Sequence, residues 1–508
     1  MKQKWLEDLV FYEIYPNSYM DSNNDGYGDF KGIISKLDYI ASLHVDGFWL
    51  NPHYDSPFMD GGYDVRDYFK PSPRFGTEDE FKELIKQMHD RNLKLIIDLV
   101  AGHTSDQNPI FLLSAKPERN EYSDMFVWTN DPWNAPYEYR FMQGKADRNG
   151  AYMVNFFATQ PALNYGFKDI KYDFQMSYKD KRVVKTRKYL ISVIMYYLEM
   201  GVDGFRVDMA DSLVKGDDNK EATIWLWNQI FKEVRAKFPK AIFVSEWNNL
   251  DRSMASGFDM DFALNHWNSF YNGLCRYEET KKGKSFLRAN GTYDYTKDLK
   301  ELEERIKRNK NKGYISFISC NHDTPRPTRF LKGRELFLFY TTILTLPGVP
   351  FIYYGDEIGM DYQENLNSVE CGFGRTGTRT PMQWDNSKNQ GFSQAEKTFL
   401  PVDYKTSLED VSKDENSIYY HIKKLIDLRH QEASLKGNNF KVIYQNDKRL
   451  LMYQRNDLLV IINPDKKIKN IDVKNVKEVI FIDGDYKLND TTLSLKGQSG
   501  IILRCHGK

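Results

Sequence analysis

Gly204-Phe205-Arg206-Val207-Asp208 is a short apolar run that ends on a carboxylate. The run begins at Val202, and the stretch before it, Arg187 to Gly201, repeats its apolar residues at helical spacing. Helix followed by buried strand is one turn of an α/β pattern. A carboxylate standing where such a strand surfaces is held rigidly. Arg206 lies two residues earlier, on the same face of the strand, where its charge would keep Asp208 ionised.

Seven further runs of the same kind occur along the chain. They are Val10 to Tyr15, Val45 to Leu50, Leu93 to Val100, Ala241 to Trp247, Phe258 to Phe262, Tyr314 to Cys320 and Val349 to Tyr354. None alternates strictly with polar residues, and helical patterns such as Glu78 to Arg91 and Ala222 to Phe238 separate them, which predicts parallel strands covered by helices. Eight units predict a closed (β/α)8 barrel with its site at the C-terminal strand ends. Two stretches break the rhythm. Residues 104–172, rich in Asn, Asp, Pro, Trp and Tyr, are too long for a loop and predict a subdomain inserted after the third strand. From about residue 436 the runs become short and turn-punctuated, which predicts a C-terminal antiparallel β-sandwich over 436–508. The barrel then comprises 1–103 and 173–435.

The chain has 508 residues, 71 Lys plus Arg against 71 Asp plus Glu, and 15% aromatic residues. Balanced charge gives no electrostatic case for nucleic acid or an anionic membrane, and the aromatic content suits stacking surfaces. No signal peptide or run of about 18 apolar residues is present, so a cytoplasmic protein is expected. Cys275, Cys320, Cys371 and Cys505 have no metal or disulfide spacing and are expected to be reduced.

The strand ends collect unusual chemistry: Asp98 and His103 from the third, Arg206 and Asp208 from the fourth, Glu246 from the fifth, and Asn321-His322-Asp323 from the seventh. Three carboxylates at one mouth cost stability through like-charge repulsion, and function is the usual reason to tolerate that. The set suits glycoside hydrolysis by two carboxyl groups. Asp208 beside Arg206 suits the nucleophile; Glu246, next to Trp247, suits a general acid of raised pKa; Asp323 would grip sugar hydroxyls and favour a cationic transition state.

In these motifs, Asp98-Leu-Val-Ala-Gly-His103, Gly204-Phe-Arg-Val-Asp208, Val244-Ser-Glu246 and Asn321-His-Asp323, the chain resembles the α-amylase family of glycoside hydrolases, closest to its α-glucosidase and oligo-1,6-glucosidase branch. Gln160-Pro-Ala-Leu-Asn-Tyr165, Gly348 to Glu357 and Arg379-Thr-Pro-Met-Gln-Trp-Asp385 add to the likeness. The resemblance implies the same three roles. It also implies that Asp98, His103, Arg206 and His322 line the glucosyl subsite, that Tyr63 stacks on the ring, and that Asp64 and Arg379 clamp its non-reducing end. The expected reaction is retaining release of glucose from short α-1,4- or α-1,6-linked oligosaccharides. The rival readings are an endo-acting amylase or cyclomaltodextrinase, a transglucosylase of the trehalose synthase or sucrose-active type, and a phosphorylase. A non-catalytic barrel of the transporter-subunit kind would lack the three carboxylates. Met209, following the nucleophile, decides neither linkage, and the sequence leaves monomer and dimer open.

Asp21, Asn23, Asp25 and Asp29 stand at alternating positions around Gly26, a spacing that suits calcium, but an EF-hand would need Glu where Gly32 stands. The resemblance implies one structural calcium held by those four side chains and the Tyr27 carbonyl. Gly102 replaces the Asn that many α-amylases use for a calcium between barrel and inserted subdomain, so no second ion is expected there.

Overall fold

The computed structural model describes residues 2–263 and 269–505. Eight strands form one sheet in which every neighbouring pair is parallel. They are β1 (Phe11–Ile14), β2 (Gly47–Leu50), β3 (Lys94–Val100), β4 (Gly204–Asp208), β5 (Ile242–Ser245), β6 (Met260–Ala263), β7 (Tyr314–Phe317) and β8 (Phe351–Tyr353). Each pairs with the next, and β8 returns to β1. The ring closes between β7 and β8 through the Ile318–Phe351 bridge and the bond from Ser319 N to Phe351 O, 2.9 Å. All eight predicted runs are therefore strands of one (β/α)8 barrel.

Local chemistry sets the helices between them. The helix Glu78–Asp90 starts in a capping box in which Thr77 and Glu80 satisfy each other's backbone N–H. It buries Phe81, Leu84, Ile85 and Met88, one face at helical spacing. The helix Val184–Met200 stops at Gly201, whose φ of 111° is a left-handed cap that a side chain would strain. Three residues later the chain enters β4, which is how Asp208 comes to stand at the barrel mouth.

After β3 the chain leaves the barrel. The inserted part has a short hairpin, Phe141–Met142 with Tyr152–Met153, and a small core of Val127, Met153, Ala162 and Phe167. It is tied to the barrel at His103–Ala162 and extends slightly past the expected boundary, because Phe167 also bridges Ser177 and Lys215.

The C-terminal part is a sandwich of a five-stranded and a three-stranded sheet, both antiparallel. Along Leu451–Arg455 and Leu458–Asn463 the side chains alternate. Met452 and Ile461 join Leu493, Leu495, Ile501 and Leu503 between the sheets, while Tyr453, Leu458, Val460 and Ile462 pack on the barrel core. Residues 506–508 of the expected domain lie outside the described residues. Among the described residues no helix is long and apolar enough to cross a membrane, and all four cysteines are free, with Cys275 and Cys320 buried.

Candidate active site

Strand register builds the centre. Asp98 on β3 pairs directly with Arg206 on β4, and Val100 pairs with Asp208. Arg206 and Asp208 point to the same face, so the guanidinium lies under the mouth. Its Nη1 meets Asp98 Oδ1 at 2.6 Å and Asp208 Oδ1 at 3.0 Å, and its Nη2 meets Glu246 Oε2 at 2.7 Å. The backbone N–H of Met209 also donates to Glu246, 2.9 Å. Met209 has φ +42°, a left-handed conformation that costs a non-glycine residue about 1–3 kcal/mol. The strain sits between the two carboxylates it helps to aim.

Exposure separates two layers. The side chains of Asp208, Glu246 and Asp323 keep 11%, 21% and 29% of their surface open, whereas Asp98, Arg206, Glu13 and His322 keep none. Asp98, Arg206, His103 and His322 are thus gathered at the site but sealed below it. Asp98 accepts from Trp49 Nε1 at 2.7 Å and Tyr63 OH at 3.1 Å as well as from Arg206. His103 bonds the Tyr63 carbonyl at 3.0 Å and Asn155 at 3.1 Å; burial pushes its pKa down to about 4, so it is neutral. The Tyr63 ring lies on the His322 imidazole, centroids 5.2 Å apart and nearly parallel.

Asp323 is held from three sides: His322 Nε2 at 3.0 Å, Arg375 Nη1 at 2.8 Å and Arg379 Nη2 at 2.9 Å. Burial alone would raise its proton affinity, but those charges outweigh burial and hold it well below the usual carboxylate range. Asp208 behaves otherwise. Burial, and then Glu246, push its carboxyl well above the ordinary range against the pull of Arg206. Arg206, the group expected to keep Asp208 ionised, is shared by three carboxyl groups, Asp98, Asp208 and Glu246, and so offsets only part of that push.

A second correction concerns the clamp. Asp64 turns into its own loop, where its carboxylate accepts from Met59 N, Asp60 N and Ser56 Oγ, and it is fully buried. Asp60 faces the site instead, bonded to Gln160 Nε2 at 2.8 Å and to Arg375 Nη2 at 3.1 Å. Gly61 and Gly62 make the turn at φ +56° and +100°. A Cβ on Gly61 would lie 2.8 Å from Arg379 Nη1. Arg375, which the sequence reading missed, spans Asp60 and Asp323. Glu13 was missed too; the available signal was a lone carboxylate inside the apolar run Val10 to Tyr15.

At Gly102 a Cβ would lie 2.7 Å from Asn155 Nδ2, so a side chain there would have to displace the Asn155 amide. Beside it the buried ammonium of Lys215 donates to Asn155 Oδ1 at 2.9 Å and Ser212 O at 2.7 Å. Inserted part and barrel are joined there by a cation of the chain itself. Burial, then Lys220, push Lys215 down to about 8.

The 21–29 turn is closed by its own bonds. Asp21 accepts from Asn23, Asn24 and Gly26 N–H and from Ser393 Oγ; Asp29 accepts from Ser22 and Gly32; Asn23 and Asp25 each accept one N–H two residues on. Among the described residues no three His, Cys, Asp or Glu side chains converge closely enough to hold a metal. The fit of the expected calcium set is thus incomplete: the oxygens are of the right kind, but Asp21 is already satisfied.

The barrel mouth thus carries Asp208 and Glu246 on one guanidinium with Asp98 sealed below them, and a further carboxylate, Asp323, held ionised beside them. A family model described as Alpha amylase, catalytic domain, matches residues 13–438. The chain belongs to the α-amylase family. The oligo-1,6-glucosidase of Parageobacillus thermoglucosidasius is 30% identical over 533 residues, spanning 91% of this chain and 90% of that protein. The trehalose-6-phosphate hydrolase of Bacillus subtilis is 28% identical over 525 residues, 90% and 89% of the two chains. Among solved structures, the isomaltulose synthase of Protaminobacter rubrum matches over 100% of both chains with a TM-score of 0.84 and 25% identity.

Proposed function

We propose that this protein is a retaining α-glucosidase that releases glucose from the non-reducing end of short α-linked gluco-oligosaccharides. The protein is a glycosidase, and the oligo-1,6-glucosidase relatives support this branch. The observation that carries the mechanism is the shared guanidinium of Arg206, which holds Asp208 and Glu246 side by side. Two carboxyl groups bound to one guanidinium suit direct attack and a covalent intermediate; an inverting enzyme needs a gap for water between them.

The chemistry asks this pair for one carboxylate and one acid. Asp208 attacks the anomeric carbon while Glu246 gives its proton to the departing glycosidic oxygen. Glu246 then takes a proton from water, which displaces Asp208 with a second inversion. Asp323, kept ionised by His322, Arg375 and Arg379, favours the positive charge at the anomeric carbon in both steps. Arg206, Asp98 and His322 position these three. Asp60 with Arg375 is the group we assign to the non-reducing end, in place of Asp64.

A transglucosylase that gives the same intermediate to a sugar hydroxyl is the second reading, favoured by the likeness to isomaltulose synthase. A chromatographic time course on maltotriose, isomaltotriose, panose, sucrose and starch separates the two. Stepwise glucose from the short sugars with starch untouched supports the proposal. Isomerised or lengthened sugars with little glucose would replace hydrolysis by transfer, and mixed oligosaccharides from starch would replace exo by endo action.

The same proposal includes one calcium and a cytoplasmic location, both drawn from the sequence, and a small oligosaccharide substrate, which the oligo-1,6-glucosidase relatives support. The ion takes no part in the chemistry proposed. Metal analysis after dialysis against calcium should find one ion per chain, lost in Asp25→Asn; a metal-free protein ends that assignment.

A further inference from the structure

We propose that Glu13 is a positioning residue of this site, acting through His322 on the transition-state carboxylate Asp323. The inference rests on the glycosidase reading above only for its effect on rate. Glu13 stands in the middle of β1, paired in register with Trp49 and Tyr353, and has no exposed surface. Its Oε1 lies 3.1 Å from His322 Nδ1 and 3.4 Å from His322 N, and its Oε2 has no partner. The other ring nitrogen of His322 is 3.0 Å from Asp323. Carboxylate, imidazole and carboxylate thus form a line from the barrel floor to its mouth.

A buried carboxylate with one unpartnered oxygen is costly, and an apolar residue would fill a barrel interior more cheaply. Burial pushes the Glu13 carboxyl up to about 7 against the pull of His322, so in the alkaline range, where His322 would otherwise lose its proton, Glu13 supplies a second negative charge against it. Burial opposes charging of the imidazole, but Asp323 and then Glu13 push its pKa up to about 9, so it stays cationic across the neutral range. The other charged or titratable groups around the pair are Tyr15, Tyr63, Asp98, Arg206, Tyr353 and Arg379. None of these charged groups can replace Glu13 as acceptor for Nδ1–H: the carboxylate of Asp98 is taken by Trp49, Tyr63 and Arg206, and the two arginines only donate, while Asn51, whose amide nitrogen lies 3.0 Å from the same Nδ1, brings no charge. A cationic His322 donates Nε2–H to Asp323, fixing its rotamer and keeping it ionised.

Glu13→Gln keeps the shape and an oxygen for Nδ1–H but removes the charge. The alkaline limb of kcat/KM on α-glucosyl fluoride should then fall by about one to three pH units while the acid limb stays. An active variant with an unmoved alkaline limb would overturn the proposal; a purely structural Glu13 would lower activity equally at all pH values. Should the variant fail to fold, the wild type decides. With histidine labelled at Cε1, one of the nine imidazoles should titrate near pH 9 by NMR, whereas nine neutral imidazoles at pH 8 would refute the charge line. That titration needs no substrate, so it separates this inference from the glycosidase reading, which fails if the wild type leaves α-glucosyl fluoride untouched.

Discussion

Asp98→Asn tests whether the residues below the mouth touch sugar or hold the machinery. Asp98 has no exposed surface, and its two oxygens are divided: Oδ1 takes Arg206 at 2.6 Å, Oδ2 takes Trp49 at 2.7 Å and Tyr63 at 3.1 Å. An amide has one oxygen, so whichever way it turns, its NH2 faces donors. Removing one partner of a buried ion pair costs about 3–5 kcal/mol, and the two lost neutral bonds add about 0.5–1.5 kcal/mol each at most. Arg206 keeps Asp208 and Glu246, which softens the loss. A destabilisation of about 3–5 kcal/mol in urea unfolding is therefore expected, with kcat reduced and KM for maltose nearly unchanged. A stable variant whose only defect is a raised KM would refute the argument and return Asp98 to direct sugar contact.

Asp60→Asn and Asp64→Asn should part company. The first should raise KM about tenfold or more with little effect on stability, and the second should lose about 1–3 kcal/mol of stability with near-normal KM, because its partners are buried N–H groups; steady-state kinetics and urea midpoints read both. A pH test uses Glu357, fully buried and bonded through one oxygen to Tyr12 and Tyr39. Burial pushes it up to about 7, against those two bonds. A folded pKa raised above the unfolded value contributes stability that is present below about pH 4 and lost as pH rises through 7. The distance from 4.5 to about 7 is worth about 3 kcal/mol, so Glu357→Gln should gain about that much on the wild type between pH 4 and pH 8. Parallel stability curves for the two proteins would contradict it.

The barrel was legible because each strand is an apolar run without alternation and each ends at the same mouth, so Asp98, Arg206, Asp208, Glu246 and Asp323 announce themselves. What the sequence hides is direction. Asp60 and Asp64 are four residues apart on either side of two glycines, and only the folded turn decides which carboxylate meets Arg375. Arg375 and Arg379 are likewise four apart, and the structure puts both on Asp323. Depth is hidden too: nothing in Asp98 to His103 says that both ends are sealed under Tyr63. Glu13 was passed over because an apolar run with one acid reads as a strand with a defect. The upward push on Asp208 was hidden because a pair on neighbouring strands, Asp98–Arg206, brings a third carboxylate that linear spacing does not show.

The central claim is double displacement by Asp208 and Glu246. Proton NMR of maltose or isomaltose hydrolysis within the first minutes, before mutarotation, tests it most directly. The account predicts that the first glucose released is the α anomer; β-glucose appearing first would contradict it and require a water between the two carboxylates.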